Sequence, residues 1–221
     1  MTARETGEHL AKSLVVAAGL RLFHEGLVAR TWGNVSVRLD QNHFAVTPSG
    51  IPYEKLNAGN IVTVSVHDLS YPGTVKPSSE KGLHAAIYRQ RPEIHAVIHT
   101  HQKVASAFSA ARRDITEPTE QARQVIGPHV LTAAYALPGT KKLARAGALA
   151  LQSSKAALLS NHGAVCIGKD MDEAFEVCLV LEDLCRTLVE KAVMKEAGAS
   201  SYEPDMVHRI YLERHIKEAK P

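Results

Sequence analysis

Cysteine is scarce in this chain: Cys166, Cys178 and Cys185 are the only three among 221 residues. Three is too few, and an odd number, for a disulfide framework, so packing rather than covalent stapling must hold the fold. Charge of one sign is scarce too. The formal net charge is +3 and the basic residues are scattered, which argues against a nucleic-acid partner or a membrane surface. No apolar run nears the roughly 18 residues of a membrane span. The stretch from Met1 to His9 carries Glu5 and Glu8 and no apolar segment, unlike a secretory signal. These absences together predict a cytoplasmic protein. No Gly/Ser-rich or Pro-rich linker, charge block, internal repeat or Gly-rich dinucleotide motif occurs. One domain spanning 1–221 is therefore expected.

Histidine, by contrast, is plentiful, with 12 residues. Two of them end the apolar, β-branched run Ile94-His95-Ala96-Val97-Ile98, as His99-Thr100-His101. Such a run reads as a buried strand. Side chains at i and i+2 of a strand share a face, so His99 and His101 present two imidazoles to one spot. A third imidazole, His162, follows the apolar run Ala156-Ala157-Leu158-Leu159, and a carboxylate, Glu80, follows Pro77-Ser78-Ser79. One buried histidine is usually a hydrogen-bonded core residue, and a helix-start acid is usually there for the dipole. Three histidines and an acid placed this way point instead to one divalent metal, with imidazole nitrogens as ligands. His84, one helical turn beyond Glu80, and His95 are expected in the core or in support of that site.

The rest of the chain alternates strands and helices. Leu10–Leu27 carries a helical stripe that Gly26 ends. Val35–Arg38 and His43–Thr47 read as a hairpin across Asp40-Gln41-Asn42. Tyr53–Leu56 reads as one helical turn, and Ile61–Val66 as a third strand. Ser79–Arg91 reads as a helix capped by Ser78 or Ser79. Helices are also expected over Gln102–Ser109, Lys141–Leu151 and, weakly, Asp205–Ala219, and strands over Val130–Tyr135, Ala156–Leu159 and Ala164–Ile167. Asp170 and Glu173 form a capping-box pattern at the start of a long helix that Gly198 stops. Ile115–Gly127 stays open. Seven to nine strands with four to six helices, and hairpins in the first half, predict a three-layer α/β/α fold on a mixed, mostly antiparallel sheet. The cysteines are expected to pack in the core.

Three polar loops accompany the histidines: Gly33-Asn34, Ser49-Gly50 and Ser78-Ser79. A helix start with free N–H groups favours an anion, and glycine lets backbone approach phosphate oxygens. Turn chemistry alone explains each loop equally well.

The segments Gly33-Asn34-Val35-Ser36-Val37-Arg38, Thr47-Pro48-Ser49-Gly50-Ile51-Pro52-Tyr53, Pro77-Ser78-Ser79-Glu80, His99-Thr100-His101 and Asn161-His162-Gly163 together resemble the class II aldolase and adducin family, in the family's order. That resemblance implies a homotetramer with active sites near its interfaces. It implies Zn2+ held by His99, His101 and His162, with Glu80 binding the metal at rest and serving as acid/base. It assigns the substrate phosphate to Asn34, Ser49, Gly50, Ser78 and Ser79. The implied reaction is cleavage of a ketose 1-phosphate to dihydroxyacetone phosphate and an aldehyde through an enediolate. The alternatives on the same site are a sugar-phosphate epimerase, dehydratase or decarboxylase; Glu80 speaks against the epimerase, whose pattern has aspartate there. A non-enzymatic module of the adducin type would lack the ligands present here. The sequence departs from the aldolase pattern at Thr119–Arg123, which has no tyrosine. Glu120 or Arg123 are the candidate replacements, and Tyr202 or Tyr211 the candidates for a C-terminal tyrosine of the pattern.

Overall fold

Both faces of the central strand are buried, and that fact sets the architecture. In β4 (Ala96–Thr100) every residue is shielded: Ala96 and Ile98 pack into one apolar cluster, Val97 into another. A strand buried on both sides needs a layer on each. The computed structural model, which describes residues 3–28 and 30–216, shows those layers. On one face lie α1 (Ala3–His24), α3 (Lys103–Ala110), α4 (Glu120–Val125) and α6 (Met171–Ala197). On the other lie α2 (Lys81–Gln90) and α5 (Lys141–Leu151). A seventh helix, α7 (Met206–Ile216), packs on α6.

Between the layers runs one seven-stranded sheet. Its strands are β1 (Asn34–Arg38), β2 (His43–Val46), β3 (Val62–Ser65), β4, β5 (Thr132–Ala133), β6 (Ala156–Leu159) and β7 (Gly163–Gly168). The spatial order is β3-β2-β1-β4-β7-β6-β5. Only β5 and β6 run parallel among the described pairs. The sheet is thus mixed and mostly antiparallel, as the hairpin signals predict. Tyr53–Lys55 forms the expected single turn, of 3-10 type.

Local chemistry explains most boundaries. Asp170 caps α6 by accepting from the Glu173 N–H at 2.8 Å. Gly198, at φ +62, ends it, with its own N–H and that of Ala199 returning to Lys195 and Met194. This left-handed stop is where glycine costs least. Two expectations need correction. Neither serine caps α2: the N-cap position is Glu80, without a side-chain cap bond, because Ser78 Oγ instead accepts the Glu80 N–H at 3.2 Å. The helix count exceeds the expected range by α4, which occupies the stretch left open. The expected tail helix is described to Ile216; its last residues lie outside the described ones. All three cysteines are buried and unpaired. Burial pushes the Cys166 thiol up and that of Cys185 to about 12, so these thiols pack rather than react. No helix among the described residues is long and apolar enough to cross a membrane.

Candidate active site

Strand pairing assembles the histidines. Asn34 of β1 lies opposite His99 of β4, and His99 lies opposite Val165 of β7. His101 follows directly at the end of β4. His162 sits in the tight β6–β7 turn, after Asn161 in the left-handed region at φ +55. The next residue must be small: a Cβ on Gly163 would lie 2.2 Å from the Thr100 carbonyl oxygen. Glycine there lets β7 press against β4 and brings His162 to His99.

One ligand nitrogen from each of His99, His101 and His162 lies within 4.8 Å of the others. His99 Nε2 and His101 Nε2 are 3.1 Å apart. His99 Nδ1 donates to the Ala164 carbonyl at 2.8 Å, so Nε2 is the nitrogen turned to the centre. A second hydrogen bond of this kind is what orients and tunes a metal-binding imidazole. Glu80 closes the group. Its Oε2 lies 3.2 Å from His99 Nε2 and accepts from Asn34 Nδ2 at 3.1 Å; its Oε1 lies 3.6 Å from His162 Nε2. That Oε1 is buried and has no hydrogen-bond partner, and neither has His162 Nδ1. Buried carboxylate oxygens are seldom left so. Three converging imidazoles and an unsatisfied carboxylate oxygen form a donor set that fits a divalent cation.

The protonation states agree with such a use. Burial opposes the charge on Glu80, but His99, with His162 and the Asn34 amide, outweighs it and holds the carboxyl down at about 2. Burial also opposes charge on His99, yet Glu80 and the Ala164 carbonyl raise its pKa overall. Burial, with repulsion from His99, pushes His101 down to about 3 and His162 to about 4. Two imidazoles are therefore neutral, ligand-ready donors at neutral pH.

These groups open into a cleft of about 600 Å³, lined by Glu80, His101 and His162 together with Asn34, Ser49, Gly50, Ser78 and Ser79. His99 stands behind them, fully buried. The two serine loops are tied edge to edge: Ser78 N–H donates to the Thr47 carbonyl at 3.0 Å and Ser49 N–H to that of Lys76 at 2.9 Å. The tie leaves Ser49, Gly50 and Ser79 exposed and Ser78 buried. Asn34 is placed differently from a free anion donor, since both ends of its amide are engaged, one by Glu80 and one by His84.

The sequence reading missed three residues of this site. Trp32, half-exposed, lines the cleft with its ring 5.8 Å from that of His101; its position beside Gly33-Asn34 was the available signal. Ser36 and Tyr88 are buried and join His84, Ser36 Oγ lying 2.6 Å from His84 Nδ1 and 2.8 Å from Tyr88 Oη. His84 is fully buried, as expected, but His95 is exposed and belongs neither to the core nor to the site. Glu120, Arg123, Tyr202 and Tyr211 do not line the cleft of this chain.

Known proteins resemble this chain in sequence and in fold. The chain is 35% identical over 172 residues to the L-fuculose phosphate aldolase of Escherichia coli K12, covering 78% of this chain and 79% of the relative. It is 31% identical over 169 residues to the 5-deoxy-D-ribulose 1-phosphate aldolase of Bacillus thuringiensis serovar kurstaki, covering 76% and 79%. A solved L-fuculose 1-phosphate aldolase superposes with a TM-score of 0.78 at 29% identity, over 92% of this chain and 95% of the other. A solved structure from Klebsiella pneumoniae, YgbL, titled a putative aldolase/epimerase/decarboxylase, superposes at 0.77 with 26% identity, over 91% and 98%. The model of the Class II Aldolase and Adducin N-terminal domain matches residues 13–189, and with the histidine cluster at the heart of the matching fold the chain belongs to that family as one of its lyases.

Proposed function

We propose that the protein is a zinc-dependent aldolase that cleaves a ketose 1-phosphate of the fuculose 1-phosphate type into dihydroxyacetone phosphate and an aldehyde. The observation that carries this reading is the sharing of one cleft by the three imidazoles, Glu80 and the tied serine loops. Zinc suits a set of three imidazoles with an exchangeable fourth position that a carboxylate fills at rest. His99, His101, His162 and, at rest, Glu80 would hold it. Bound there, the cation would supply Lewis acidity that offsets the negative charge left on the substrate by carbon–carbon cleavage.

The other steps fall to side chains. Glu80 rests ionised and, displaced by substrate, is the base that removes the proton beside the carbonyl in the condensation direction. In cleavage the hydroxyl on the carbon that becomes the aldehyde gives up its proton as the carbon–carbon bond breaks. That proton passes to the Glu80 carboxylate, and Glu80 delivers a proton to the carbon left behind. Ser78 and Ser79, just before α2, and Ser49 and Gly50, on the loop tied to them, grip the phosphate and so fix the reacting carbons. Asn34 belongs to this anion end by sequence and steadies Glu80 by its amide. In the same reading 1–221 is one domain of a cytoplasmic homotetramer. A neighbouring subunit's Glu120 or Arg123, or a C-terminal tyrosine, would then serve the aldehyde half.

The test is a panel of ketose 1-phosphates, L-fuculose 1-phosphate and 5-deoxyribulose 1-phosphate among them, with the protein of measured zinc content. Release of dihydroxyacetone phosphate is expected. Carbon dioxide release from an acidic sugar phosphate, with no triose phosphate from any ketose, would favour the decarboxylase instead.

A further inference from the structure

Behind Glu80, away from the cleft, four buried polar side chains run in single file from the carboxylate into the interior. Glu80 Oε2 can only accept, so the Asn34 amide must turn its NH2 toward it, at 3.1 Å. The amide oxygen then faces His84 Nε2, and because that oxygen can only accept, Nε2 must carry the proton. In a neutral ring this leaves a lone pair on Nδ1, which receives the Ser36 hydroxyl proton across 2.6 Å. Ser36 Oγ in turn accepts from Tyr88 Oη at 2.8 Å, shorter than the 3.4 Å from Tyr88 Oη to the His95 carbonyl. Each choice forces the next, and all four hydrogen bonds donate toward Glu80.

We propose that Tyr88, Ser36 and His84 form a directed hydrogen-bond relay that locks the Asn34 amide with its NH2 on Glu80, making His84 a positioning residue for the acid/base. Reversing the relay would turn the Asn34 carbonyl oxygen onto the carboxylate and push it off the histidine cluster. The stacking of His84 on Phe44 holds the ring plane, with centroids 6.4 Å apart and planes 5° from parallel. Burial pushes the His84 pKa down to about 3, which keeps the ring in its single-proton form. The hydrogen-bonded path from His84 to Glu80 runs through Asn34.

This inference rests on the aldolase reading for Glu80's role, and its test separates the two. Zinc-loaded wild type, His84→Phe, His84→Gln and Tyr88→Phe are assayed on the ketose phosphate that wild type cleaves best. His84→Phe removes the donor and is expected to lower kcat by about 10–100-fold, with KM within about threefold and zinc content unchanged. His84→Gln restores an N–H toward Asn34 and is expected to recover most of that loss. Tyr88→Phe, which removes only the last donor, is expected to lower kcat by less. Unchanged kcat in His84→Phe, or equal losses in His84→Gln and His84→Phe, would overturn the relay. Independently of turnover, nitrogen-15 spectra of histidine-labelled protein should show one imidazole, absent from His84→Phe, that is neutral and protonated at Nε2 at pH 5. A cationic or Nδ1-protonated ring there overturns the relay even if no ketose phosphate is cleaved, an outcome that would by itself sink only the aldolase reading.

Discussion

Gly163→Ala is the sharpest perturbation of the histidine cluster that leaves every ligand in place. The added Cβ would lie 2.2 Å from the Thr100 carbonyl oxygen and 3.4 Å from His99 Cε1. To restore an ordinary contact, β4 and β7 must part by about 1 Å at the point where Thr100 pairs with Ala164. The obstacle is backbone within a paired sheet, not a flexible side-chain tip, so the upper part of the overpacking range applies, about 3 kcal/mol. In a chain of this length that lowers Tm by roughly 6–12 °C. The same displacement moves His162, one residue away, relative to His99 and His101. A ligand shifted on this scale is expected to weaken zinc binding by about 10–100-fold. Thermal unfolding in excess chelator reads the packing cost, and competition with a chromophoric chelator reads the affinity. Gly82→Ala is the control: its Cβ would meet Ala144 and Leu69 at 3.8 Å, ordinary contact. It should be neutral or stabilising by up to about 1 kcal/mol. If Gly163→Ala matched Gly82→Ala in both measurements, the close approach of β7 to β4 would not be what assembles the cluster.

Glu80→Gln should keep the fold and zinc content but abolish turnover, since the amide cannot exchange a proton with carbon; residual activity above about one-hundredth of wild type would remove Glu80 from the chemistry. Chelation should stop turnover and lower Tm, with zinc restoring both in a concentration-dependent way, because a ligand of the folded state alone stabilises by mass action; an unchanged Tm would mean that the cluster holds no ion. Acid should destabilise the protein partly through His84. Its folded pKa of about 3 lies below the ordinary 6.5, so the unfolded chain takes a proton that the folded one refuses. Stability contributed at neutral pH is therefore lost as pH falls from about 6.5 toward 3, by up to about 1.4 kcal/mol per pH unit. His84→Phe should flatten that part of the Tm–pH profile, and parallel profiles would refute the assignment.

The parts of the fold that the sequence reveals are those with a local physical cause. Asp170 and Glu173 announce the start of α6 and Gly198 its end, and the helix begins and stops there. The i, i+2 spacing of His99 and His101 places both imidazoles in one centre because a strand alternates faces. Where the cause is not local, the reading fails. Within α4 only Ala122 is buried, with Ile126 directly after it, too few to set a period, and the helix is held by its packing on α6. His95 shares the strand parity of Val97 and His99, but it precedes β4 and faces solvent, because the sheet's cover ends there.

The relay behind Glu80 shows what kind of signal was overlooked. In Asn34-Val35-Ser36-Val37-Arg38 the alternation suggests a strand with Val35 and Val37 inward and the polar residues in water. That inference holds for a two-layer fold. The α/β/α expectation contradicts it, because a central strand of a three-layer fold has no wet face. In the structure Asn34 and Ser36 are buried, and Arg38 is half-buried with its guanidinium on the carbonyls of Tyr88, Arg91 and Ile94. A buried polar residue needs a partner, and the facing helix α2 offers His84 and Tyr88 one turn apart. The layer count and the polar parity of β1 thus jointly require a hydrogen-bonded file between β1 and α2, ending where α2 begins, at Glu80. Strand alternation taken alone hides it, and only the number of layers turns two apparently solvated positions, Asn34 and Ser36, into the support of Glu80.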